Sequence, residues 1–263
     1  MRAAARLSLL VVLALASFAA GCGGEEDDRS QDETIERFDV RRQAAVVLKP
    51  GRPTSKVVIY VHGAGERIAN AFREPRKDPI FRTLLDAGYA IAMTDAHGDN
   101  WGSAAGERDQ VALAAALGER GLRDVYVLAL SMGGFNGLQL LDDVAVKAWA
   151  GIFPACDLRS VYALGLYRGQ IRAAYGRTGR RLGDAIARRS PVDFDPPDGM
   201  PMRFWASADD RVIPTRQNTE ACAELARRRG ADVVVTPTRG DHGDPSNYDA
   251  AGILRLFESA RDG

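Results

Sequence analysis

A serine, a histidine and a carboxylate, the three groups able to relay a proton to a nucleophile, stand in three separate stretches of this 263-residue chain: "YVLALSMGGFNG" (126–137), "MRFWASADDRVIP" (202–214) and "RGDHGD" (239–244). A hydroxyl attacks poorly unless a base takes its proton, and imidazole titrates closest to neutrality. In the first stretch an apolar run ends at Ser131, followed by Gly133-Gly134. A serine on a tight strand-to-helix turn, with small residues two before and two after it, is held out for attack as a nucleophile elbow. Gly133 meets that requirement on one side, and Ala129 stands where glycine is usual on the other. The plainer role for such a serine is to cap the following helix. The three histidines, His62, His97 and His242, are the candidate bases, and only His242 follows Ser131 in the chain. The adjacent Asp209 and Asp210 are the candidate acids that would hold its ring in one tautomer.

Two further stretches invite chemistry. "VHGAGE" (61–66) ends a β-branched run in small residues, which allow close approach of the backbone to a substrate oxygen. "TDAHGDNWGS" (94–103) sets His97 between Asp95 and Asp99, but it lacks the second His or Cys that zinc sites usually have. It reads as a loop bordering a pocket, with Trp101 as a wall. No metal or cofactor site is expected.

The elements that must position these residues alternate. Strand-like runs occupy 44–49, 56–61, 89–95, 125–130, 146–154 and 202–207, and helix-like segments occupy 79–86 and 107–120. Such alternation predicts a mostly parallel sheet covered by helices.

Together these motifs resemble the α/β-hydrolase superfamily over about 44–258. The resemblance implies the α/β-hydrolase fold, with a mostly parallel central sheet flanked by helices and a small helical cap insertion at 157–193. It places the acid four residues before Pro214, at Asp210, with Ser207 where glycine is usual and Asp209 as the rival. It assigns Ser131 as nucleophile, His242 as base, and the N–H groups of Ala64 and Met132 as oxyanion donors, with Gly65 as an additional donor. His62 is expected to shape that loop. The insertion carries eight Arg against three Asp. Either it caps the serine, with Tyr162, Tyr167 and Arg168 toward substrate, or it is a solvated excursion whose basic face serves solubility or a membrane surface. The implied activity is a carboxylesterase acting on small esters through an acyl-enzyme. A prolyl-oligopeptidase-like peptidase is the alternative, suggested by the S-x-G-G of residues 131–134, although the stretch from Cys22 to Val57 is too short for that family's propeller. A non-catalytic binding lipoprotein is the third reading, suggested by Ala129 and Ser207.

The N-terminus carries Arg2 and Arg6, an apolar run over 7–20, and small residues before Cys22. That run is shorter than the roughly 20 residues a membrane-spanning helix needs. It resembles a bacterial lipoprotein signal, which implies cleavage after residue 21 and lipidation of Cys22. The protein is then extracytoplasmic and anchored to the cell membrane, with ordinary secretion as the alternative. Residues 22–38 are acidic and without apolar periodicity, and they read as a flexible tether to a domain over 39–263. Lys plus Arg and Asp plus Glu number 35 each, so no basic field invites nucleic acid. The expected partners are a small ester or short peptide and the membrane. Cys156 and Cys222 are open to a disulfide after export, or remain as buried thiols.

Overall fold

The computed structural model describes residues 33–176 and 179–260. The signal-like segment and Cys22 lie outside the described residues.

The chain order is β1 (Thr34–Val40), β2 (Gln43–Lys49), β3 (Lys56–Val61), α1 (Ile68–Ala71), α2 (Asp78–Asp86), β4 (Ala90–Thr94), α3 (Ala104–Glu119), β5 (Asp124–Leu130), α4 (Gly133–Gln139), β6 (Val146–Ile152), α5 (Leu158–Leu164), α6 (Arg168–Tyr175), α7 (Gly179–Ala187), β7 (Pro201–Ser207), α8 (Ala221–Arg228), β8 (Asp232–Thr238) and α9 (Ala250–Ser259). The strands form one sheet in the order β1-β2-β4-β3-β5-β6-β7-β8. β1 and β2, and β2 and β4, pair antiparallel, and all other pairs are parallel.

The central strands are continuous apolar runs because both faces are covered. Alternate side chains of β3 enter opposite cores: Val57, Ile59 and Val61 belong to the one covered by α3, α4 and α8, whereas Val58 and Tyr60 belong to the one covered by α2 and α9. Trp149 and Phe204, on the neighbouring β6 and β7, pack ring to ring at 4.8 Å in the first core. Burying an aromatic side chain of this kind contributes about 1.5–3 kcal/mol.

One boundary differs from the sequence expectation. The segment read as tether as far as residue 38 is a strand from Thr34 onward, so the folded unit begins earlier than residue 39. Arg41 and Arg42, with φ of 50° and 67°, make the two-residue turn into β2. Glu36 on β1 accepts from Lys49 at 2.8 Å and from Arg120 at 2.8 Å. The strand looks like tether in sequence because it is an edge facing water, with Ile35 exposed and charged residues between its apolar ones. β8, likewise an edge with no fully buried residue, also lies outside the runs read as strands.

The topology brings the C-terminal ends of β3, β5, β7 and β8 to one edge of the sheet. Residues 62–66, Ser131, Asp210 and His242 leave from those ends, and ligands of open α/β sheets bind along such an edge.

Candidate active site

Ser131 sits between β5 and α4 with φ of +51°, a left-handed conformation unusual for any residue but glycine. Its backbone is fixed on both sides: its N–H donates to Ile152 O at 3.0 Å, and its carbonyl accepts from Gly134 N at 2.9 Å and Ala155 N at 2.8 Å. The two glycines are there for space. A Cβ on Gly133 would lie 2.0 Å from Val61 O, and one on Gly134 would lie 2.5 Å from Ala155 O. The Ala129 methyl, the departure from the usual elbow, faces Gly137 on α4, where an added Cβ would stand 2.9 Å from it. The helix thus supplies the space that glycine normally leaves on the strand.

His242 Nε2 lies 3.1 Å from Ser131 Oγ, and its Nδ1 lies 2.7 Å from Asp210 Oδ2. The side chain of Asp210 is 2% exposed. Its other oxygen accepts from Val212 N at 2.8 Å and Ile213 N at 2.9 Å, so the carboxylate is held at both ends. Asp209 points to solvent, as does Ala208. Ser207, the second departure, holds this turn: its Oγ accepts from Asp209 N at 3.1 Å and its carbonyl from Asp210 N at 3.2 Å. Phe153 packs on the imidazole with ring centroids 4.0 Å apart. Asp241, which no sequence motif singles out, accepts from both Arg211 N at 3.0 Å and His242 N at 2.8 Å, tying the acid loop to the histidine loop. Those two backbone donors hold its carboxyl below the usual range.

The 62–66 loop packs directly against the elbow, since a Cβ on Gly63 would lie 3.6 Å from Ser131 Cβ. The N–H groups of Ala64 and Met132 find no acceptor among the described residues. The N–H of Gly65, expected as an additional donor, instead bonds Asp99 Oδ1 at 2.8 Å. His62 is buried, with Nδ1 2.8 Å from Gly63 O and Nε2 3.2 Å from Asp95 O, a loop-shaping position.

The residues around His97 are spent on the fold. His97 Nδ1 lies 2.5 Å from Asp109, a fully buried carboxylate shared with Arg41, while Asp95 accepts from Ile68 N. Among the described residues no three His, Cys, Asp or Glu side chains gather as a metal-binding group.

The insertion is helical, as α5, α6 and α7, and it is fastened beside the site. Tyr167 packs on Trp101 at 4.6 Å, Trp101 Nε1 donates to Gln170 Oε1, and Tyr175 Oη donates to Trp101 O. Burial, and then the charges of Asp210 and Asp99, push the Tyr167 phenol upward. Tyr162 and Arg168 are engaged with one another on the insertion itself. A concavity of about 1230 Å³ runs between the β1–β2 hairpin and α1–α2 and touches none of Ser131, Asp210 or His242.

No family model matches the chain, and no curated protein matches it in sequence. Solved structures do match in shape. A putative hydrolase from Agrobacterium vitis S4 superposes with a TM-score of 0.60 at 16% identity, over 86% of this chain and 99% of that one. An esterase/lipase from an uncultured bacterium gives 0.59 at 18% identity, over 89% and 85%. A Mycobacterium tuberculosis puromycin-hydrolyzing peptidase gives 0.64 at 19% identity, over 86% of this chain but 38% of that one.

Proposed function

On the α/β-hydrolase fold that this chain adopts, we propose that Ser131, His242 and Asp210 form the catalytic triad of a serine hydrolase, most simply a carboxylesterase acting on small esters. The observation that carries the proposal is the unbroken line from Ser131 Oγ through both imidazole nitrogens to a buried carboxylate. His242 Nε2 takes the hydroxyl proton as Ser131 Oγ adds to the ester carbonyl. The N–H groups of Ala64 and Met132 bond the resulting oxyanion, where each such donor is worth ~10²–10³ in turnover. Asp210 stabilises the imidazolium. The imidazolium then protonates the departing alkoxide, leaving an acyl-enzyme. Water, deprotonated by the same Nε2, opens it and releases the acid while the proton returns to Ser131.

Hydrolysis of p-nitrophenyl esters of increasing acyl length tests this reading. Turnover is expected in the wild type and absent in Ser131→Ala; activity surviving in Ser131→Ala contradicts it. A peptidase is the second reading, favoured by Ser131-Met132-Gly133-Gly134 and by the likeness to the puromycin-hydrolyzing peptidase. Faster cleavage of aminoacyl-naphthylamides than of any ester selects it.

The protein is proposed to be exported and held at the membrane through lipidated Cys22. The signal-like N-terminus supports that, as does the disulfide between Cys156 and Cys222, a bond that persists in oxidising compartments. Labelling by a fatty-acid analogue is expected in the wild type and absent in Cys22→Ala; label retained there overturns the anchor.

A further inference from the structure

Beneath the 62–66 loop lies a group of polar side chains that the triad does not use. Glu66, the last residue of the "VHGAGE" stretch, turns its carboxylate inward. One oxygen accepts from Tyr60 Oη at 2.6 Å and from Gly63 N at 3.2 Å, and the other accepts from Lys77 Nζ. The Lys77 side chain is 3% exposed and the Glu66 side chain 19%, while Tyr60 lies in the core below. Burial, together with the Glu66 carboxylate, pushes the Tyr60 phenol well above its ordinary range, so it remains a donor. A buried charge pair of this kind adds little stability compared with apolar residues of the same size. Its placement is better explained by what it holds.

The Glu66 carboxylate holds the peptide before Gly63, through Gly63 N, while the backbone N–H of Glu66 holds the peptide between Gly63 and Ala64. The Gly63 carbonyl accepts from His62 Nδ1 at 2.8 Å and from the N–H of Glu66 at 3.3 Å. In a planar trans peptide the N–H points away from the carbonyl of the same plane. Fixing the Gly63 oxygen therefore aims the Ala64 N–H in the opposite direction. Glu66 also grips the preceding peptide through Gly63 N, so neither plane flanking Gly63 is free to flip, although glycine itself imposes little conformational restraint. Tyr60 anchors this grip to the end of β3, and Lys77 anchors it to the start of α2.

We infer that Glu66, braced by Lys77 and Tyr60, is a positioning residue that aims the Ala64 N–H at the developing oxyanion. The inference rests on the serine-hydrolase reading above. It makes the last two residues of the loop serve different ends: Gly65 turns its N–H to Asp99, and Glu66 sets the geometry of the donor that remains.

The test compares two double variants in which the buried charges are removed together, so that neither is left unpaired. Glu66→Leu/Lys77→Met takes away the acceptor for Gly63 N, whereas Glu66→Gln/Lys77→Met keeps an amide carbonyl there. With a p-nitrophenyl ester, the Leu variant is expected to lose roughly tenfold to a hundredfold in kcat, a part of what deleting a whole oxyanion donor costs. Its KM should stay within about twofold, as befits an interaction made only in the transition state. Its affinity for a boronic acid, which forms a tetrahedral adduct on the serine, should fall by the same factor as kcat. The Gln variant should recover most of that loss. Equal losses in both variants, or a folded Leu variant with wild-type kcat and boronate affinity, overturn the inference. If the Leu variant does not fold, Tyr60→Phe decides: a reduced kcat at unchanged KM supports the brace, and an unchanged kcat overturns it. A wild type that neither turns over esters nor binds the boronate fails the hydrolase reading instead.

Discussion

At Asp210 both carboxylate oxygens are committed, one to two backbone N–H groups and the other to His242. Replacement by Asn cannot satisfy all three with acceptors. Its single oxygen stays with the Val212 and Ile213 amides, and its NH₂ then faces His242 Nδ1, which must carry the lone pair while Nε2 carries the proton. That is the wrong tautomer for accepting a proton from Ser131. Asp210→Asn is expected to lower ester turnover by up to ~10⁴. Asp209→Asn, on an exposed side chain, should change it little; steady-state kinetics of both variants, with thermal melts to confirm folding, check this. The preference for Asp210 over its rival Asp209 comes from the resemblance to α/β-hydrolases, in which the acid stands four residues before such a proline, and in the fold it is Asp210 that lies beside His242. Asp241 was not readable, because its contribution is to bond the backbone N–H of its neighbour His242 together with that of Arg211, 30 residues before it in the chain, and no local pattern announces that.

The elements succeed or fail as sequence signals according to how many of their faces are buried. β3, β5 and β7 are buried on both sides and read as apolar runs, so the strand ends that carry the loop at 62–66, Ser131 and Asp210 were legible. β1 was not, since its turn uses two arginines at positive φ where Asn-Gly is the usual signal. The elbow shows a subtler limit. Ala129 looks like a defect in the motif, and its compensation at Gly137 lies one helical turn into α4, visible only when strand and helix are packed. Gly137→Ala should therefore destabilise the fold by about 1–3 kcal/mol, the usual cost of overpacking. The added methyl also meets Trp149 Nε1, at 3.3 Å, whose hydrogen bond to Gly137 O it would crowd. Adding Ala129→Gly should return part of that loss. Denaturant unfolding of the two single variants and the double variant measures the coupling, and strictly additive effects contradict the compensation.

Across the whole molecule, the Cys156–Cys222 disulfide joins the segment after β6 to α8 over a sequence separation of 66 and so encloses α5, α6, α7 and β7 in one loop. The chain-entropy argument gives about 4 kcal/mol for closing a loop of that length. Cys156→Ala/Cys222→Ala should lower the unfolding free energy by a comparable amount while leaving the distance from Ser131 to His242 undisturbed, which residual esterase activity below the new melting temperature would show. Sequence alone left that pair open, because nothing in the spacing of two cysteines fixes whether their Cα atoms come within bridging distance; in the fold they stand 6.6 Å apart. The arrangement of all these parts converges on one claim, that Ser131 is an activated nucleophile. Peptide mapping after treatment with a fluorophosphonate tests that most directly. One adduct per chain, on Ser131, is expected in the wild type, with none in Ser131→Ala and sharply slowed labelling in His242→Ala. A folded wild-type chain that takes up no label, or one that carries it on a residue other than Ser131, would contradict the account.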